Sequence, residues 1–238
     1  MKVLSNITYL FEILPLLFCL LFFKKIKTKP LKVFFIYTIL LACFVLLGYY
    51  FLHFKISREY YLANIRTYIL TEYALLCIFF FFIFKNRIIK NVVLFSIIPF
   101  SIFCILNYLK SAKDTFNTIS PLVEFLLFII ILAYFFYEKM RVVTKIPLYQ
   151  SITFWICVSL FIYFTGNFFY LLFLTNASDK DFVTQMKIVY SIVTITKDIL
   201  LCVAWMANEQ VESPADELLI PKDVNLDDDL SFTSPPNP

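Results

Sequence analysis

The sequence has very little glycine and histidine. Only two glycines, Gly48 and Gly166, and one histidine, His53, occur in 238 residues. A single histidine excludes any multi-histidine metal site, and with it the histidine-based intramembrane metalloenzymes. Two isolated glycines form no G-x-x-x-G packing motif, and they disfavour the glycine-broken helices of many transporters. Close helix packing must therefore rely on other small residues and on aromatic rings.

Charged residues are also scarce. They make up 16% of the chain, where an average soluble domain has about 25%. Apolar residues make up 61%, and the mean hydropathy is +0.82. All six cysteines lie in apolar stretches without C-x-x-C spacing, so we interpret them as small packing residues rather than as disulfide partners or zinc ligands. This composition predicts an integral membrane protein.

Seven apolar stretches, separated by short basic loops, fill residues 1–208. About twenty helical residues cross a bilayer core about 30 Å thick, in which backbone groups cannot be solvated. We therefore predict an all-α, polytopic membrane domain, a seven-transmembrane-helix bundle, and kinks where Pro15 and Pro99 interrupt the first and fourth helices. The predicted spans are Ile7–Phe23, Val33–Leu52, Ile65–Phe84, Val92–Leu109, Ile119–Tyr137, Ile152–Leu174 and Ile188–Met206.

Loop charge predicts the orientation of the bundle. Lys and Arg in short loops are retained on the cytoplasmic side. The first, third and fifth loops hold eleven of these residues, and the second, fourth and sixth hold seven. We therefore expect the N-terminus outside and the C-terminus in the cytoplasm. The first stretch contains Glu12 and Pro15 and lacks a small-residue cleavage site, so we expect a retained helix rather than a secretory signal.

Residues 209–238 form an acidic tail. This segment holds eight acidic residues and one basic residue, whereas residues 1–208 hold nine acidic and twenty basic. Its Pro, Ser and acidic content predicts disorder in isolation. The tail is either a solvated terminus or a docking peptide for a basic cytoplasmic partner. The docking alternative would use an apolar patch and an acidic cluster: Leu218, Leu219, Ile220, Asp227, Asp228 and Asp229.

Three glutamates lie inside predicted spans. Glu12, Glu72 and Glu124 each fall in the first turns of an odd-numbered helix that ends in a basic loop. At 1.5 Å per residue they lie roughly 8 to 10 Å below the outer boundary. An acidic side chain at the centre of a span costs about 3 kcal/mol on insertion scales, so such residues face protein or water.

The sixth and seventh helices carry matching polar stripes. Ser159, Tyr163, Gly166, Asn167 and Tyr170 share one face of the sixth, and Asn167 is predicted level with the glutamates. The seventh carries Ser191, Thr194 and Asp198, with Lys197 beside them. Together these residues predict a polar cavity open to the outside. The candidate ligand-binding residues are Glu12, Glu72, Glu124, Tyr163, Asn167, Tyr170, Thr194, Lys197 and Asp198.

Two interpretations of these residues remain open. In one, they form a pocket that senses a small ligand, a proton or a lipid headgroup, with Lys197 as a counter-charge. In the other, Lys197 pairs with Asp198 or a glutamate, and the remaining carboxyl groups hydrogen-bond helix to helix. Five tyrosines near the outer helix ends are interpreted as an interfacial belt: Tyr49, Tyr50, Tyr60, Tyr61 and Tyr108.

Two strings in the fifth loop and sixth helix carry a resemblance. The run from Pro147 to Trp155, PLYQSITFW, is followed by LFIYFTGNF, which begins at Leu160. These strings resemble a group of short seven-helix membrane proteins of Bacteroidota, and Glu72 and Glu124 lie in similar glutamate motifs. The resemblance implies a bacterial inner-membrane, multi-pass protein that works beside a histidine kinase. Lys197-Asp198 departs from the pattern, which has an Asn-like polar residue there.

We therefore expect a membrane sensor or accessory signalling module. It would bind a small or lipidic ligand in the outward cavity and act through a separate cytoplasmic protein, because no kinase or nucleotide-binding unit fits into its loops. The alternative is a transporter or a lipid-modifying enzyme that uses Glu72, Glu124 and Asp198. A retinal pigment with a Schiff base on Lys197 is a third, weaker alternative. The sequence indicates no catalytic motif, metal site, cofactor or nucleic-acid partner.

Overall fold

A computed structural model describes residues 2–110, 117–141, 143–144, 147–175, 180–207 and 217–218. Nearly all of them are helical, and the two short 3-10 turns, Phe23–Lys25 and Leu148–Gln150, lie between helices. The helices are α1 (Lys2–Leu21), α2 (Lys29–His53), α3 (Arg58–Ile83), α4 (Arg87–Phe95), α5 (Ile97–Lys110), α6 (Ile119–Met140), α7 (Ile152–Thr175) and α8 (Lys180–Met206).

Several of these helices match the predicted spans. Six helical segments in the described part of the chain are long and apolar enough to cross a membrane, with α4 and α5 counted together as Arg87–Lys110. The helix α1 is shorter in its apolar part, Asn6–Leu21. The all-helical, multi-pass prediction is therefore confirmed at the level of six or seven apolar helices.

The helices form a closed ring. The helix α1 packs against α2, and α2 packs against α3. The helix α3 packs against α4, α5 and α6, and the last three helices, α6, α7 and α8, pack in sequence. The ring closes because α8 packs against α1. The segment Arg87–Lys110 lies at the periphery. Only 17% of its most apolar stretch is buried in the bundle, compared with 39–44% in the other five segments long enough to span a membrane. Most of its apolar surface is thus left to face lipid.

A dense aromatic core fills one half of the ring. It comes from the N-terminal half of α2, the C-terminal halves of α3 and α8, the middle and C-terminal part of α6, and the N-terminal half and middle of α7. Phe128 is central to it, with its ring stacked on Phe164 at a centroid distance of 4.6 Å. The largest buried side chains there include Phe34, Phe79, Phe80, Phe128, Phe135, Phe164 and Trp205. Closing this half with aromatic rings leaves the other half of the ring to form a cavity.

The fourth predicted span is broken at Ser96. The helix α4 ends at Phe95, and α5 begins at Ile97. Pro99 has no N–H for the carbonyl group of Phe95, and the Ser96 hydroxyl donates to the Val93 carbonyl oxygen at 2.6 Å. The interruption predicted at Pro99 therefore falls just upstream of it. The helix α1, in contrast, is continuous through Pro15.

Gly166 brings α7 and α8 unusually close together. A Cβ atom at this position would lie 2.6 Å from Cγ2 and 2.7 Å from Cγ1 of Val193. Such distances are well inside van der Waals contact, so a larger residue would require the Val193 side chain or one of the two helices to shift. At Gly48 an added Cβ would meet Asn64 Nδ2 at 3.5 Å, an ordinary contact. The two glycines thus have different roles.

A lysine links the beginning and the end of the bundle. The ammonium of Lys25, in the turn after α1, donates to the carbonyl oxygens of Trp205 at 3.0 Å and Ala207 at 2.8 Å. These carbonyl groups lie at the C-terminal end of α8, where backbone acceptors are unpaired and the helix dipole favours a cation. This contact fixes the end of α8 against the first loop.

Two residues of the acidic tail are described. Glu217–Leu218 pairs in antiparallel fashion with Val143–Thr144, in the loop between α6 and α7. Leu219, Ile220, Asp227, Asp228 and Asp229 of the predicted docking patch lie outside the described residues. The division into a membrane domain and an acidic tail, and the disorder of that tail, stay predictions.

Candidate functional site

The open half of the ring encloses a cavity of about 570 Å³, within the range typical of ligand pockets. Its lining comes from α1, α2, α3, α6, α7 and α8. On α3 it extends from Arg58 to Glu72, fourteen residues or about 21 Å along the axis. These helices meet here at the end predicted to face outside. The cavity is thus a deep well that begins at the ends of the helices.

Most of the predicted ligand-binding residues line this cavity. Glu12, Glu72 and Glu124 do so, together with the predicted residues of α7, Tyr163, Asn167 and Tyr170. The structure therefore brings the three glutamates to the lining of one cavity. Thr194, Lys197 and Asp198 are buried but do not belong to the lining residues. Whether any of these residues binds a ligand stays a prediction.

Glu72 is held at the bottom of the well by tyrosines. The Tyr37 hydroxyl donates to Glu72 Oε1 at 2.8 Å, and the Tyr68 hydroxyl is a second hydrogen-bonding neighbour. Only 2% of Glu72 is exposed. Tyr68 lies one turn before Glu72 on α3, and Tyr37 comes from α2. The carboxyl group therefore has donors supplied by the protein itself.

Glu124 lacks such donors. It is fully buried, and neither of its carboxyl oxygens has a hydrogen-bond partner among the described residues. The amide nitrogen and oxygen of Asn167 also have no hydrogen-bond partner among the described residues. Phe125, next to Glu124, packs against Tyr163, one turn before Asn167, at a centroid distance of 6.2 Å. Two unpartnered polar groups thus face the cavity from adjoining helices.

Lys197 and Asp198 form a buried ion pair beneath the cavity. The Lys197 ammonium lies 3.0 Å from Asp198 Oδ1, with 2% and 0% of the two side chains exposed. It also lies 4.8 Å from the centroid of the Tyr163 ring, and it interacts electrostatically with Glu12 and Glu72. Ser159 donates to the Lys197 carbonyl oxygen at 2.9 Å. The Lys197 ammonium thus interacts with three carboxyl groups, those of Asp198, Glu12 and Glu72.

The mouth of the well is basic, which the loop predictions missed. Arg58 and Lys187 line it, although both were assigned to loops. The helices α3 and α8 begin at Arg58 and Lys180, about two turns before the predicted spans. Polar first turns beyond the apolar run look like loop sequence, but a helix continues through them here. One signal in the sequence could have found them: both cations lie close enough to an apolar run for one or two further helical turns to reach them.

The tyrosines of the predicted interfacial belt divide into two groups. Tyr49, Tyr50 and Tyr60 are exposed, as a belt requires. Tyr61 instead lines the cavity, and the Tyr108 ring lies 5.3 Å from the Arg66 guanidinium. Tyr61 thus faces the cavity, and the interfacial-belt assignment of Tyr61 and Tyr108 stays a prediction. With Tyr61, the aromatic wall of the well includes Tyr9, Tyr68, Tyr163, Tyr170 and Tyr190.

The balance of charge in the well is uneven. Among the described residues, the deep part contains or adjoins four carboxyl groups, those of Glu12, Glu72, Glu124 and Asp198, and one ammonium, that of Lys197. In a medium of low dielectric such an excess must be met by protons, by water or by a cationic ligand. The described residues contain no set of three or more His, Cys, Asp or Glu side chains placed to hold a metal ion.

Comparison of the chain with protein-family models, with curated proteins and with solved structures found no match.

Proposed function

We propose that this protein is a seven-helix membrane sensor or accessory module that binds a small or lipidic ligand in the acidic well. In this proposal the well faces outward, the C-terminus is cytoplasmic, and a separate cytoplasmic protein such as a histidine kinase receives the signal. The proposed location of the protein is the inner membrane of a bacterium.

One observation carries the proposal above all others. Glu124 and Asn167 are buried polar side chains that line a cavity of ligand size without partners among the described residues. Buried polar groups are nearly always hydrogen-bonded, and exceptions call for an explanation. A ligand that supplies their partners accounts for both exceptions.

A binding role fits the shape of the molecule better than transport does. A transporter must open to both sides of the membrane, and its helices are often broken at the substrate site. Beneath the well, however, α7 runs unbroken from Ile152 to Thr175, and rings such as Phe128 and Phe164 are stacked. A closed floor favours a ligand that enters and leaves from one side.

The connection to the cytoplasm runs through α8 in this proposal. This helix contributes Tyr190 and Ser191 to the well and the ion pair beneath it, and its far end is bound by Lys25. The tail that follows can contact the loop after α6 through Glu217–Leu218. A ligand that displaces α8 would therefore change the surface presented to a partner.

The test is a genetic one in the native host. A deletion strain complemented with Glu72→Gln should lose the transcriptional changes that the wild-type gene restores, because the carboxylate at the bottom of the well is gone. The measurement is a whole-transcriptome comparison, with the amount of protein in the membrane fraction checked by immunoblot.

The matched control is Glu59→Gln. This residue lies in the first turn of the same helix and is exposed, so the same substitution there should leave the response intact. A normal response in the Glu72→Gln strain, with normal amounts of protein, would contradict a sensing role for the well.

A further inference from the structure

The structure points to the chemical class of ligand that the well accepts. We propose that it takes a molecule with a protonated amine, whose ammonium group binds between Glu124 and Asn167 while an apolar or aromatic body lies against the tyrosine wall. This inference rests on the proposed function, since it names the ligand of the same site.

Glu124 is the carboxyl group of the well that has no donor or cation beside it among the described residues. Tyr37 donates to Glu72, and Lys197 contacts Asp198 and interacts with Glu12 and Glu72. Within the described part of the chain, the charged group that acts on Glu124 is another carboxyl group, that of Glu72. A cation is therefore the charged ligand that this position favours.

Glu124 and Asn167 together offer the acceptors that an ammonium group needs. An ammonium group has three donors and no acceptor, so it binds where several oxygen acceptors surround it. Glu124 offers two carboxyl oxygens and Asn167 offers Oδ1, all without partners among the described residues. The packing of Phe125 against Tyr163 brings the two turns that carry these groups together.

An organic amine fits the well better than a transition-metal ion does. Tightly bound transition metals favour sets of His, Cys and carboxylate ligands, and the described residues contain no set of three or more His, Cys, Asp or Glu side chains placed to hold one. A guest of the right size must also fill a space of about 570 Å³ lined mainly by apolar and aromatic side chains. An organic amine supplies both the charge and the apolar body, and aromatic faces attract such cations.

The basic mouth adds a selection of its own. Arg58 and Lys187 lie at the entrance, and positive charge there favours a ligand that carries a second, anionic group beside its amine. Such a ligand could be a free amine or the ammonium end of an aminophospholipid. Both sources share the chemistry that Glu124 and Asn167 recognise.

The experiment uses three probes with one aromatic body. The full-length protein in nanodiscs of phosphatidylglycerol, which lacks an amine, is titrated calorimetrically with 2-phenylethylamine, 2-phenylethanol and 3-phenylpropionate. We expect the amine to bind at least about tenfold more tightly than the alcohol, as a charge-assisted hydrogen bond allows, and the carboxylate to bind most weakly.

Glu124→Gln should abolish the preference for the amine over the alcohol. The matched control is Glu138→Gln on the same helix, which lies outside the well and accepts from the Asn86 backbone N–H at 3.3 Å. It should retain the preference, because its amide oxygen can still accept that bond.

A second arm distinguishes the two sources. If the natural occupant is an aminophospholipid, nanodiscs that contain phosphatidylethanolamine should weaken the apparent binding of the amine at least about threefold by competition. If it is a free amine, the affinity should not change. Either result supports the proposal.

The proposal fails if the alcohol or the carboxylate binds as tightly as the amine, if Glu124→Gln leaves the preference unchanged, or if the wild type binds no probe. These outcomes are distinct from failure of the proposed function. Loss of the transcriptional response in Glu72→Gln without any amine preference would leave a sensor with another class of ligand. Amine preference with an unchanged response would leave a binding site that does not signal.

Discussion

At the scale of single residues, the balance between Lys197 and the surrounding carboxyl groups decides whether the bundle can hold its acidic interior. Asp198 is the direct partner of Lys197, and Glu12 and Glu72 are further carboxyl groups in its field. Removing one partner of a buried ion pair is far more costly than removing both, since a lone charge remains in a low dielectric.

Lys197→Met should therefore lower the free energy of unfolding by about 3 kcal/mol. The measurement is an equilibrium unfolding titration with sodium dodecyl sulfate in mixed micelles. The double variant Lys197→Met with Asp198→Asn should recover part of the loss, because it removes both charges.

Lys187→Met is the control, on the same helix but exposed. It should change the stability by less than about 1 kcal/mol. Equal stability of Lys197→Met and the wild type would show that the ion pair does not support the fold.

Residue types were a good guide to the acidic site. An ionisable side chain in an apolar span must face protein or water, so Glu12, Glu72 and Glu124 could be assigned to the interior from sequence alone. Sequence could not distinguish the partner of each carboxyl group. The bond from Tyr37 to Glu72 depends on the rotation of α2 against α3, and neither polypeptide segment encodes that rotation by itself.

At the scale of helices, α7 and α8 pack closely at Gly166. Gly166 lies on the face of α7 that also carries Tyr163 and Asn167, so this contact positions two residues of the well. One of the only two glycines in the sequence therefore lies at this helix contact.

Gly166→Ala should separate α7 from α8 and lower the unfolding temperature of the protein in detergent. The added methyl group would lie within 2.7 Å of two Val193 carbon atoms, and overpacking of this kind costs roughly 1 to 3 kcal/mol. A second substitution, Val193→Ala, should restore most of the loss by removing those atoms.

Gly48→Ala is the matched control. Its methyl group would make only ordinary contacts, and alanine favours a helix by about 1 kcal/mol over glycine. This variant should be at least as stable as the wild type. A Gly166→Ala protein that is also as stable would contradict the close packing described for α7 and α8.

Helix ends were the least predictable elements. Hydropathy located the apolar part of each span, but it assigned Arg58 and Lys187 to loops, whereas α3 and α8 begin before them. Beyond the bilayer core, water can solvate the side chains while the backbone still gains from helical hydrogen bonds. Charged residues in such turns therefore carry no signal that separates helix from loop, and the basic mouth was missed.

At the scale of the whole molecule, the ring has two halves with different tasks. One half is packed with aromatic rings and contributes stability, and the other holds an acidic well about 21 Å deep between Arg58 and Glu72. Apolar periodicity predicted the helices but not this division, because it depends on which helices are neighbours around the ring and on the contact of α8 with α1.

Both the proposed function and the proposed ligand require a well that is open to the outside and favours cations. The substitution Asn167→Cys reports on both properties, in a background with Cys43→Ala, since Cys43 is the exposed one of the six cysteines. Intact cells are treated with two membrane-impermeant thiosulfonates, one cationic (trimethylammonium) and one anionic (sulfonate). Phe169→Cys, at a position on α7 whose side chain is exposed on the outer surface of the bundle and does not line the well, is the control.

We expect Asn167→Cys to react from outside, at least about tenfold faster with the cationic reagent once the intrinsic rates of the two reagents are divided out, and Phe169→Cys to react slowly with both. Equal rates for the two reagents at Asn167→Cys, or labelling no faster than at Phe169→Cys, would contradict it.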